Sequence, residues 1–133
     1  MSSVGPGSGG GMTLFDLTVV FGVVAVVVLG VLAAAFWRNP VQGMTLATHR
    51  IEMLPRVMAD RYTAFAFLAV AVVLFGDLRL YAVLFTICAF MGLVDGLIYA
   101  RAGHPHMKHT VSGVLSTVAL VVSLTALAVE KGF

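Results

Sequence analysis

Apolar residues in this chain do not alternate or recur on one face; they run almost without interruption in four long blocks separated by short polar breaks. The blocks are 14–37, 57–76, 80–100 and 110–129. Each reaches the ~20 residues that a helix needs to cross a hydrocarbon core of about 30 Å. No block shows the strict alternation of a half-buried strand, and all are too long for soluble strands. The pattern predicts an all-α integral membrane four-helix bundle. The Gly/Ser-rich stretch 1–12 that precedes it is expected to be a disordered tail, because it has too little apolar surface to order itself. Met12 offers a second translation start next to the first span.

Composition supports this picture: 60% of the 133 residues are hydrophobic and 11% are charged, against about 25% charged in soluble chains. The net charge of +2 is too small and scattered to point to nucleic acid. One cysteine, Cys88, excludes an internal disulfide and a cysteine-based zinc site.

The short connections differ in charge. Arg38, Arg50, Arg56, Arg61, Arg101 and Lys108 fall in, or next to, the breaks after spans one and three, whereas the other breaks and the C-terminal end hold only Arg79 and Lys131. Short loops rich in Lys and Arg stay in the cytoplasm. Both termini are therefore expected on the extracytoplasmic side of the cell inner (cytoplasmic) membrane. Asn39-Pro40 should end the first helix. From Met44 onward, Met44, Ala47, Ile51 and Leu54 recur at helical spacing, which fits a short amphipathic surface helix, with an irregular loop as the alternative. Small residues mark faces that allow close helix approach: Gly22, Ala25, Gly30, Ala33 and Ala34 in span one, Gly92 and Gly96 in span three, Ser112, Ser116, Ala119 and Ser123 in span four.

Ionisable groups within membrane helices suggest a site. Asp60, Arg61 and Asp95 are expected at one depth near the cytoplasmic end, with Tyr99 and His109 within reach. Arg61 with Asp95, and Arg56 with Asp60, are the expected pairs. This set is either a polar pocket for a small amphiphilic ligand or a structural bridge that fixes helix register. The His104-Pro105-His106-Met107-Lys108-His109 run could approach a transition metal, but it lacks a thiolate and a standard zinc spacing; solvated loop histidines are the plainer reading. The chain carries no phosphate-binding glycine loop, and nothing in it names a cofactor.

Asn39-Pro40, Asp60-Arg61-Tyr62, Gly92-Leu93-Val94-Asp95-Gly96, Arg101-Ala102-Gly103 and His109 together resemble the small DoxX-like four-helix membrane proteins. The chain does not reproduce the Lys-Gly-x-Arg-Asp-like stretch that often opens span two in those proteins. The resemblance implies a membrane bundle and, for most members, no established activity. Three functions are compatible with the sequence. The first is a lipid- or small-molecule-binding module, or one that assists a membrane partner. The second is a small membrane enzyme using Asp60, Asp95 and His109. The third is a proton-coupled transporter working as a homodimer. Topology is directly testable. Reporter fusions after Gly132 or within Gly76–Arg79 should read as extracytoplasmic, and fusions within Gly43–Leu54 or Gly103–Lys108 as cytoplasmic. A cytoplasmic signal after Gly132 would reverse the orientation.

Overall fold

The computed structural model describes residues 11–131, so most of the 1–12 tail lies outside the described residues. The described chain is helical: α1 (Leu14–Arg38), α2 (Pro40–Leu46), a 3-10 turn (Ile51–Met53), α3 (Leu54–Phe75), α4 (Leu78–Arg101) and α5 (Met107–Glu130). Helices α1, α3, α4 and α5 are long and apolar enough to cross a membrane. At about 1.5 Å per residue the shortest of them, the 22 residues of α3, covers the hydrocarbon core. The chain divides into two compact units, Met1–Val57 and Met58–Phe133.

In the first unit α1 begins with a capping box. Thr13 Oγ1 accepts from the backbone N–H of Asp16, and the Asp16 carboxylate accepts from Thr13 N–H at 2.9 Å and from Thr13 Oγ1 at 2.7 Å. The one acid of span one therefore serves helix initiation. Asn39 ends α1 and begins α2: its side chain accepts from Gln42 N–H, with Pro40 in the first turn of the new helix. The helix expected from Met44 onward actually lies earlier, at Pro40–Leu46. Two local preferences decide this. Asn39-Pro40 starts a helix as well as it stops one, and Thr48 then takes a φ of 56°, which helical backbone does not allow. Gly43 is buried because α2 folds back on α1; a Cβ there would lie 2.7 Å from the Phe36 ring. Within this unit a Cβ at Gly22 or Gly30 would meet nothing, so neither glycine is at a close helix contact there.

In the second unit, Gly76 ends α3 with a φ of 65°, and Asp77 caps α4 by accepting from Arg79 N–H at 2.8 Å. The turn is thus tighter than the expected Gly76–Arg79 connection. The α4–α5 connection closes with a Schellman motif. Gly103 adopts a φ of 73°, and His104 N–H donates to the Tyr99 carbonyl at 2.9 Å.

Helices α4 and α5 run antiparallel and touch backbone to backbone. A Cβ on Gly92 would fall 2.5 Å from the Gly113 nitrogen, one on Gly96 would fall 2.5 Å from Thr110 Oγ1, and one on Gly113 would fall 2.5 Å from the Leu93 nitrogen. Ala82, Ala89 and Gly96, seven residues apart, are all buried. That is the heptad spacing of two helices crossing at a shallow angle. Hydroxyls along the seam bond to their own helix, Thr117 to the Gly113 carbonyl and Ser123 to the Ala119 carbonyl, both at 2.8 Å. Among the described residues no buried side-chain donor or acceptor lacks a hydrogen-bond partner, as a surrounding without water requires. Within the second unit no other pair of long helices comes this close. Outside the seam large apolar side chains are exposed, Leu74 at 80% and Leu115 at 63% among them, a surface suited to lipid rather than water.

The seam predicts a specific sensitivity. Gly92→Ala must push the two backbones apart and should cost about 1–3 kcal/mol, the usual range for overpacking. Gly22→Ala should cost nothing. Thermal unfolding in detergent followed by circular dichroism measures both, and equal melting of Gly92→Ala and wild type would mean that the helices do not meet at Gly92.

Candidate functional site

The second unit has two ends of different chemistry. At one end the α3–α4 turn and the end of α5 enclose an open depression of about 840 Å³ walled by Asp77, Arg79, Glu130 and Lys131. Its charges largely satisfy each other. Arg79 reaches the Asp77 carboxylate at 3.1 Å, and this guanidinium, with the Arg79 backbone N–H, holds the Asp77 carboxyl below the usual carboxylate range. Phe75, Leu78 and Leu127 give this open depression its apolar wall, beside the charged groups.

At the other end α3, α4 and α5 surround a cavity of about 480 Å³. Glycine contact draws α4 and α5 together, whereas α3 faces them through large side chains, and the space lies between. Phe65 and Ala69 from α3 and Leu84, Phe85, Cys88 and Met91 from α4 form its apolar wall. Tyr62, Asp95, Lys108, His109 and Ser112 form its polar part. Arg61 and Asp95 line an adjoining cavity of about 300 Å³ that shares Tyr62, Phe65 and Met91 with the first.

Of the residues expected to form a site, Asp95 and His109 meet most directly. His109 Nδ1 lies 3.9 Å from Asp95 Oδ2, too far for a hydrogen bond but within ion-pair range when the imidazole is protonated. Tyr99, one turn beyond Asp95 on α4, lays its ring against that of His109 with centroids 4.8 Å apart, and His104 approaches its edge at 6.3 Å. Tyr99 thus supports His109 from outside the cavity. Arg61 lines the smaller cavity together with Asp95. Asp60 is exposed on α3 and lines neither cavity.

The three histidines of the 104–109 stretch make separate contacts. His104 packs on Tyr99, His106 Nδ1 lies 3.1 Å from Thr110 Oγ1, and His109 turns to Asp95. Among the described residues no group of three or more His, Cys, Asp or Glu side chains converges as a metal site would require. Sequence reasoning did not single out Phe65, Met91 or Lys108. In an apolar run a cavity-lining Phe looks like a lipid-facing one, and a loop lysine looks like a solvated one. Comparisons with protein-family models, with curated proteins and with solved structures found no match to this chain.

The 3.9 Å separation and the half-open position of both side chains make the Asp95–His109 contact a weak one, worth about 0–1 kcal/mol. Asp95→Asn and His109→Gln, singly and together, should give a coupling energy within that range in a double-mutant cycle read by thermal unfolding. A coupling above about 3 kcal/mol, typical of a buried charge pair, would contradict the geometry.

Proposed function

We propose that this chain is a multi-pass protein of the cytoplasmic membrane, its termini extracytoplasmic, that binds a small amphiphile among α3, α4 and α5. The observation that carries this reading is the 480 Å³ cavity with an apolar wall and a polar end. Ligand sites are usually about 300–1,000 Å³, mostly apolar, with a few placed polar groups. An amphiphile whose tail lies along Leu84, Phe85 and Ala69 would bring its head to Asp95, Lys108 and His109. The charge distribution supports the orientation: in the second unit Arg101 and Lys108 lie at the cavity end. The DoxX-like resemblance adds only a membrane bundle to this reading.

An enzyme built on Asp60, Asp95 and His109 is less well supported, since Asp60 stands apart from the other two. A proton-coupled transporter needs an acid deep in a helix, and Asp95 lies only six residues from the end of α4.

Thermal stabilisation by single-chain amphiphiles tests the proposal. A ligand at a hundredfold its dissociation constant raises stability by about 2.7 kcal/mol. Cys88→Trp fills the apolar wall and should abolish the response without lowering the baseline melting temperature. Equal responses in wild type and Cys88→Trp would mean that the amphiphile binds elsewhere, on the lipid-facing surface.

A further inference from the structure

Two carboxylates and three cations lie near the cavity end of the second unit, and they are not equally available. Asp60 is exposed outside both cavities. Asp95 has His109 at 3.9 Å and shares the smaller cavity with Arg61, so its charge already has a cationic environment. Arg101 closes the last turn of α4 and lines neither cavity. Lys108 lines the main cavity beside His109 and Ser112, and among the described residues no carboxylate lies within 4.0 Å of it. Lys108 and Ser112 also border a groove on α5 with Val111 and Leu115, so Lys108 belongs both to the cavity lining and to the neighbouring helix surface. The charge left uncommitted at the cavity is therefore positive, and it stands where a head group must sit if the tail lies inside.

We propose that the cavity selects a single-chain amphiphile with an anionic head, held by Lys108 with Ser112 and His109 as neighbouring donors. The inference rests on the amphiphile-binding reading above and specifies its ligand class. A cavity of about 480 Å³ is of a size for one chain rather than two. An ammonium on a flexible stem accepts either a carboxylate or a phosphate, so a fatty acid and a lysophosphatidate share the required chemistry. A cationic head would instead seek Asp95 and would meet the Lys108 ammonium.

The test uses the full chain in detergent micelles, titrated separately with oleate, oleoyl-lysophosphatidate, oleyl alcohol and oleylamine, with bound fractions read by native mass spectrometry. Oleate or lysophosphatidate should bind about tenfold more tightly than the alcohol, as one charge-assisted contact supplies, and the tighter of the two identifies the head. Lys108→Met should remove the preference for the anion while leaving alcohol binding unchanged, and Lys108→Arg should keep it. Equal affinity for all heads, tightest binding of oleylamine, or an anion preference that survives in Lys108→Met would overturn the anionic assignment and leave the amphiphile reading standing. Absence of binding by all four chains would overturn both.

Discussion

Any side chain on Gly92 would enter space already held by the backbone of Gly113, and the arrangement of the second unit follows from that contact. In lipid, hydrophobicity does not draw helices together, because the tails are as apolar as leucine; packing at short range does. Gly92, Gly96 and Gly113 allow α4 and α5 to meet at the backbone, with Ala82 and Ala89 extending the seam. Helix α3 presents one small residue to the cavity, Ala69, and no glycine. It faces the pair through Tyr62 and Phe65, with Met91 of α4 opposite, and these bulky side chains leave unfilled volume beside them. The tight seam and the cavity are two consequences of one distribution of side-chain size.

The same contact organises the polar end. Because Gly96 meets Thr110 in the first turn of α5, His109 stands opposite Asp95 and against the ring of Tyr99, one turn further along α4. The Schellman closure at Gly103 turns the chain so that His104 meets Tyr99 edge to ring at 6.3 Å. An imidazole held between a carboxylate and an aromatic ring, at the mouth of an apolar cavity, is placed by backbone geometry and not by a strong ion pair.

Much of the fold was legible in the chain, because length and unbroken apolarity are properties of single segments. The four long helices, the stop at Asn39-Pro40 and the Gly92–Gly96 spacing could all be read locally. Gly113 could not: it is a lone glycine among serines and threonines, and its role appears only when Gly92 is opposite it. The short helix α2 was misplaced because Pro40 reads as a terminator in sequence, yet it is also a good first residue of a helix. For the site, similar depth from the helix ends brought out Asp95 and His109. The same reasoning included Asp60, since position along a helix gives depth without giving direction, and it passed over Lys108, whose meaning depends on the cavity beside it.

The central claim is that α4 and α5 meet backbone to backbone at Gly92 and Gly113. Solid-state NMR on glycine-selectively 13C-labelled protein in lipid bilayers measures this proximity. A cross-peak between the Cα atoms of Gly92 and Gly113, lost in Gly92→Ala, is the result this account predicts. Spectra in which Gly113 shows no contact with any α4 glycine would contradict it.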